Sequence, residues 1–407
     1  MFFTEDIEFT KHGYYQVDNT KTLSKFEAFR FAGGDLSKIK FVYNEDIMST
    51  YDWSREPEED IYELYAKRSR QLRNKYDYLV LLYSGGIDSH TVLESFLNNG
   101  IHLDEICTFT NSKANDKNSN KFNQEVFNAA IPFVNTLNLH NLKTKFRLFD
   151  IADLVINMYA DEFHFENHHL YNQGPAGQWP NAVRSHVLKA NIQDHMKLTA
   201  QGKTVCYIWG FDKPVMMSEN NKYYIRFVDN CIDLNMRQYI NRKVLESKFS
   251  NFYDEPFFTC REIPEIVIKQ GHLLLKSIKT IKPDDPRLLN QDDLNTSGPW
   301  VVHHKEKYHK FLSKKMVDGV IYPKSNLLQF GNDKTKGSII LSVKDDWFNL
   351  SNHSNQHRWF QNLDNLVKQN RELYKFKNGN LIGIEAILSK SYCIGEYNPF
   401  ENYDISN

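Results

Sequence analysis

A chain of 407 residues with 41% apolar and 25% charged side chains exceeds one ordinary compact domain and can bury a sizeable core. Its 50 basic and 51 acidic residues leave a formal net charge of −1, which argues against a surface built throughout for nucleic acid or an anionic membrane. Five cysteines, at 107, 206, 231, 260 and 393, form no CxxC pair, so no zinc knuckle or iron–sulfur site is written locally. Isolated thiols suggest a reducing compartment. Neither a leader segment after Met1 nor a membrane-length apolar run is found, so a cytoplasmic protein without membrane attachment is expected.

Residues 1–75 read as a lead-in. Ile39-Lys40-Phe41-Val42-Tyr43 follows the turn Gly33-Gly34-Asp35 as a short strand, and a helix is expected over 56–75, with Ile61, Leu64, Tyr65, Arg68 and Leu72 at helical spacing. From 76 the pattern is regular. Tyr78-Leu79-Val80-Leu81-Leu82-Tyr83 is a continuous apolar run of strand length, as in a strand buried on both faces of a parallel sheet. A helix through Val92, Leu93, Phe96 and Leu97 follows and stops at Asn98-Asn99-Gly100.

Further strands are predicted at Glu105–Thr110, Lys145–Phe149 and Val205–Trp209, with helices through Val126–Leu137, near 151–160 and over about 181–199. Strand–helix alternation of this kind implies a doubly wound, mostly parallel α/β domain over 76–250. Val215–Met217 and Tyr223–Phe227 read as an antiparallel hairpin. Residues 251–407 are expected to form a mainly helical accessory region.

The informative segment is Ser84-Gly85-Gly86-Ile87-Asp88-Ser89, between the first buried strand and its helix. Free N–H groups at a helix start, together with the helix dipole, form an anion site. Gly85 and Gly86 let phosphate oxygens approach the backbone, Ser84 and Ser89 add hydroxyls, and Ile87 is expected to face the core. Asp88 would repel phosphate unless it holds Mg²⁺ or orients the loop, which points to a metal–nucleotide complex. The segment is neither a Walker loop nor a G-x-G-x-x-G fingerprint.

Ser84–Ser89 matches the SGGxDS signature of the PP-loop ATP pyrophosphatases, the adenine nucleotide alpha hydrolase superfamily with its Rossmann-like (HUP) domain. The chain thereby resembles asparagine synthetase, GMP synthetase, argininosuccinate synthetase and the tRNA thiolation and lysidine enzymes. The resemblance implies ATP and Mg²⁺ as ligands, cleavage between the α- and β-phosphates, and transfer through an adenylate. It assigns the nucleotide to Ser84, Gly85, Gly86, Ile87 and Ser89, with Asp88 supporting the metal. Trp209-Gly210-Phe211-Asp212-Lys213-Pro214 resembles the Gly-x-x-Asp region of asparagine-synthetase-like domains. That makes Gly210 a nucleotide contact, Asp212 a metal ligand and Lys213 a phosphate ligand. Thr110 at the end of the second strand lies where the adenine is expected.

Ile263–His272, Ile382-Gly383-Ile384 and Tyr392-Cys393-Ile394-Gly395 are similar to the C-terminal part of asparagine-synthetase-like phage proteins, with Lys269 and His272 as candidates for a helix lining the site. No N-terminal cysteine nucleophile or glutaminase-sized domain precedes the loop, so the nitrogen donor is expected to be an amine or ammonia. The acceptor is expected to be a small molecule or nucleotide. Nucleic-acid modification, including sulfur transfer, and a nucleotide-binding regulatory role stand as alternatives, as does a relative of the sulfate-activating reductases. The loop 172–181, before a helix carrying Arg184, His186 and Lys189, is open to a substrate-binding or a surface-turn reading. His164, His168 and His169, the stretch His303–Lys310 and Cys107 read as ordinary surface or core residues. Oligomeric state is not legible.

Overall fold

The computed structural model describes residues 10–110, 126–150, 192–210, 215–229, 232, 251–281, 289–290, 302–303, 310–311, 314–322, 370–377 and 380–397. The lead-in forms β1 (Tyr14–Val17), β2 (Thr20–Thr22), α1 (Lys25–Phe31), β3 (Lys40–Val42), α2 (Glu45–Met48) and α3 (Ile61–Lys75). Its strands pair antiparallel in the order β2-β1-β3. The expected helix over 56–75 begins only at Ile61. Asp60 accepts from the Tyr62 and Glu63 N–H groups while the Glu63 side chain accepts from the Asp60 N–H, a reciprocal cap that sets the start.

The central layer is a five-stranded, wholly parallel sheet. In chain order its elements are β4 (Tyr78–Leu82), α4 (Ile87–Leu97), β5 (Glu105–Thr110), α5 (Ile131–Thr136), α6 (Leu139–Leu142), β6 (Lys145–Asp150), α7 (Gln193–Ala200) and β7 (Val205–Trp209). The hairpin β8 (Val215–Glu219) and β9 (Lys222–Arg226) then intervenes before the fifth sheet strand, β10 (Phe252–Pro256). The predicted helix from Val126 is split: one wide π turn covers Val126–Ala130 and α5 starts at Ile131. Pro132 has no N–H to continue the preceding helical ladder. The expected helix over 151–160 lies outside the described residues, as do the first residues of the one over 181–199.

The strand order β10-β7-β4-β5-β6 places the first strand of the sheet between the second and the fourth. Chain direction across the sheet therefore reverses between β4 and β7. Apolar residues cover both faces: Leu79, Leu81, Ile106 and Ile208 join the main core with α4, while Val80, Leu82, Cys107 and Tyr207 pack with Ile192 on the other side. This is the doubly wound arrangement expected for a parallel sheet.

Two expectations for the C-terminal part need correction. β10 lies beyond the boundary placed at 250, yet it pairs along its whole length with β7. Its Asp254, Glu255 and Pro256 are untypical of a buried strand, but β10 is an edge strand, where proline costs no ladder bond. The carboxylates are satisfied from elsewhere: Trp209 Nε1 donates to Asp254 at 2.9 Å, and Lys11, Arg68 and Lys75 ring Glu255 at 2.9, 3.1 and 3.1 Å. Nor is the region mainly helical among the described residues. After α8 (Glu265–Thr280) come β11 (Leu289–Asn290), β12 (Val302–His303), β13 (Lys310–Phe311), α9 (Lys314–Ile321), β14 (Tyr374–Lys377), β15 (Asn380–Ile384) and β16 (Tyr392–Glu396). β16 returns to pair antiparallel with β9, beside β8.

α8 rests on that small sheet at Gly271. A Cβ there would meet Ile225 Cγ1 at 3.0 Å and Ile394 Cδ1 at 3.4 Å, so the missing side chain allows the close approach. The lead-in docks through aromatic stacking, Tyr43 on Phe227 at 4.2 Å and Trp53 on Tyr392 at 4.4 Å. It is further held by the buried pair Lys25–Asp229 at 2.8 Å, where Asp229 also accepts from the Tyr15 hydroxyl. Among the described residues no helix is long and apolar enough to cross a membrane.

Candidate phosphate-binding site

The Ser84–Ser89 segment sits at the carboxyl end of β4, beside the point where the chain direction reverses. Open α/β sheets bind ligands at such a crevice. Its base is fixed from the sheet: the Tyr83 N–H donates to the Cys107 carbonyl at 2.9 Å, and Thr108 Oγ1 donates to the Tyr83 carbonyl at 2.8 Å. Across the turn, the Tyr83 hydroxyl and His90 Nδ1 lie 3.0 Å apart, and the His90 ring meets Phe133 edge-on at 4.4 Å. Strand end and helix start are thus clamped together beneath the loop.

Gly85 has φ +81, which the turn requires and a Cβ disfavours. Gly86 is the N-cap of α4 and offers no side chain to its first turn. Those N–H groups and the helix dipole are directed at the loop. The serines are brought together as the sequence suggested, but their hydroxyls serve the loop itself. Ser84 Oγ and Ser89 Oγ are 3.2 Å apart, Ser84 Oγ accepts from the Gly86 N–H at 3.1 Å, and Ser89 Oγ donates to the Gly86 carbonyl at 3.0 Å. Ile87 is half-buried and packs against the main core, and Asp88 is half-buried in the first turn of α4.

Gly210, directly after β7, meets this turn. A Cβ on it would lie 2.8 Å from Ser89 Cα, 2.9 Å from Ser89 N and 3.1 Å from Asp88 C, all backbone atoms. Thr110 ends β5 nearby in the sheet and is buried. Asp212 and Lys213 lie outside the described residues, as do the loop 172–181, Arg184, His186, Lys189 and the histidines 164, 168 and 169.

Two C-terminal candidates serve another contact. Lys269 donates to the Pro57 carbonyl at 2.9 Å and pairs with Glu56 at 3.0 Å, and His272 Nε2 lies 3.0 Å from the Trp53 carbonyl. Both pin the segment before α3. Gln270 between them points elsewhere, its Nε2 donating to the Tyr65 hydroxyl at 2.9 Å. That hydroxyl also donates to the Ile321 carbonyl at 3.1 Å, tying α3 to α8 and α9, and the helical spacing of Tyr65 gives no sign of this role. Cys107 is fully buried, and burial pushes its thiol well above the usual range, in keeping with a core residue. Among the described residues no group of three or more His, Cys, Asp or Glu side chains is arranged to hold a metal.

Replacing Gly85 with alanine forces a side chain into the left-handed region. The expected loss is about 1–2 kcal/mol of stability, read from the urea midpoint of the two proteins. An unchanged midpoint would mean that the turn relaxes to a negative φ.

No protein-family model matches the chain, and no curated protein matches its sequence significantly.

Proposed function

We propose that the protein is an ATP-using enzyme of the PP-loop type, cleaving the nucleotide between its α- and β-phosphates and releasing AMP and pyrophosphate. The observation that carries this reading is the meeting of the uncapped α4 start and its glycine turn with the backbone at Gly210, where the sheet reverses direction. A pyrophosphate is the anion such a turn suits, since the N–H groups at a helix start and the helix dipole attract phosphate oxygens.

On this reading the backbone of Gly85 to Ser89 binds and orients the leaving pyrophosphate, and the helix start stabilises charge as it develops there. Mg²⁺, when bound, neutralises part of the phosphate charge, and Asp88 is the described residue whose carboxylate fits that task, with Asp212 as the second ligand the resemblance implies. Asp88 at the mouth of an anion site is unfavourable without a cation, which is why the donor set suits a metal–nucleotide better than free phosphate. The adenylated acceptor is a small molecule or nucleotide, displaced by an amine or ammonia.

The test is product analysis. Protein, Mg²⁺, α-labelled ATP and a small-molecule cell extract are incubated, and AMP is separated from ADP. Extract-dependent AMP is expected, with Asp88→Asn slowing it about 10²-fold or more. ADP as the product would sink the proposal. ATP binding without turnover would instead favour a macromolecular acceptor or a regulatory role.

A further inference from the structure

Tyr83 and His90 bracket the Ser84–Ser89 segment, one directly after β4 and the other early in α4. Both are buried, at 1% and 0% exposure. The Tyr83 hydroxyl lies 3.0 Å from His90 Nδ1, so a side-chain hydrogen bond closes the segment at its base. Each end has a second anchor. Thr108 Oγ1 donates to the Tyr83 carbonyl at 2.8 Å, tying that end to β5. The His90 N–H donates to the Gly86 carbonyl at 2.9 Å, tying the other end to the loop's own backbone. His90 Nε2 makes no hydrogen bond among the described residues and lies 3.5 Å from Glu94 Oε1. Nδ1 is thus the ring atom through which this histidine acts on the loop.

Bonds inside the loop have a different fate when a ligand arrives. Ser84 is exposed, and its Oγ accepts from the Gly86 N–H at 3.1 Å, one of the donors at the helix start that an incoming phosphate oxygen would claim. Ser89 Oγ is spent on the Gly86 carbonyl. Such bonds compete with an anion and cannot hold the donors in place once it binds. The Tyr83–His90 bond is buried beneath the loop, in surroundings of low polarity that strengthen it, and keeps its partners with or without the anion. Donors held in place beforehand spare the ordering cost of binding.

Building on the nucleotide reading above, we propose that Tyr83 and His90 are positioning residues for the phosphate loop, their buried hydrogen bond holding its N–H donors in the arrangement that pyrophosphate takes. Phe133 in α5 backs the His90 ring edge-on at 4.4 Å and keeps Nδ1 turned to the hydroxyl.

Affinity, measured apart from stability and turnover, tests this. Inorganic pyrophosphate and ATP, each with Mg²⁺, are titrated calorimetrically into the full-length protein, and urea melts are run in parallel. Tyr83→Phe keeps the ring and removes the hydroxyl. Pyrophosphate affinity should fall about five- to tenfold, and His90→Leu should do the same. His90→Asn, whose amide places a polar atom where Nδ1 stood, should keep most of the affinity although it packs less well against Phe133. In the double variant Tyr83→Phe/His90→Leu the loss should match that of either single change, since the same bond is removed in all three. A merely structural role gives lower urea midpoints with wild-type affinity in every folded variant. That result overturns the proposal, as do losses that add in the double variant. Should Tyr83→Phe not fold, His90→Asn against His90→Leu decides, equal affinities overturning it. Wild type that binds neither pyrophosphate nor ATP overturns the nucleotide reading, and the proposal with it, before any variant is compared.

Discussion

Gly210→Ala is expected to lower ATP affinity at least about 10²-fold while the rest of the fold survives. The added Cβ would stand 2.8 Å from Ser89 Cα and 2.9 Å from Ser89 N. Neither atom belongs to a flexible side chain, so the start of α4 and the end of β7 have to move apart. Overpacking of this kind costs roughly 1–3 kcal/mol. The larger effect is positional, because a displacement near 1 Å of groups that orient a ligand costs on the order of 10²-fold. Gly202→Ala is the control: it also carries a positive φ, +82, but nothing lies within 4 Å of its Cβ position. That variant should lose some stability and no affinity. Titration calorimetry with ATP, alongside urea melts, separates the two. Unchanged affinity in Gly210→Ala would remove the β7 crossover from the proposed nucleotide site.

Glu255→Gln should cost about 3–5 kcal/mol at neutral pH, since it leaves three cations around an uncharged group. Burial opposes ionisation of Glu255, but Lys11, Arg68 and Lys75 outweigh it, and the carboxyl is held well below the usual carboxylate range. A carboxyl depressed in the folded state contributes stability that is fully present above its unfolded pKa, about 4.3, and is lost as pH falls toward the folded value. Urea melts should therefore show wild type weakening as pH falls below about 4.3, and the Gln variant weakening less over the same window. Equal slopes would mean that other carboxylates carry the acid sensitivity. The effect is large because Glu255 joins three pieces: the segment at Lys11, the helix α3 and the edge strand β10.

Much of the site was legible as local pattern. The run Tyr78–Tyr83, the paired glycines and the amphipathic stretch to Leu97 specify strand, turn and helix through neighbours a few residues apart. The hairpin around Ser218–Asn221 was equally readable, since its register depends on the turn between its strands. Lys269 and His272, candidates by resemblance, hold the segment before α3, a contact between distant residues that local sequence does not show.

The amino-acid order thus establishes a buried parallel strand feeding a glycine turn and a helix whose N-terminus lacks a capping side chain. Those few residues also place the Asp88 carboxylate in the first turn of that helix. Folding in three dimensions supplies the remainder: β7 beside β4, Gly210 against Ser89 and β10 as a fifth strand. The first two join residues more than a hundred positions apart, and β10 pairs with β7 at an offset of 47. β10 shows why such pairings are hidden. Asp254 and Glu255 look like loop residues until Trp209, Arg68 and Lys11, the last 244 positions away, are packed against them. A buried carboxylate is stable only with its partners in place, and local periodicity carries no record of partners so distant.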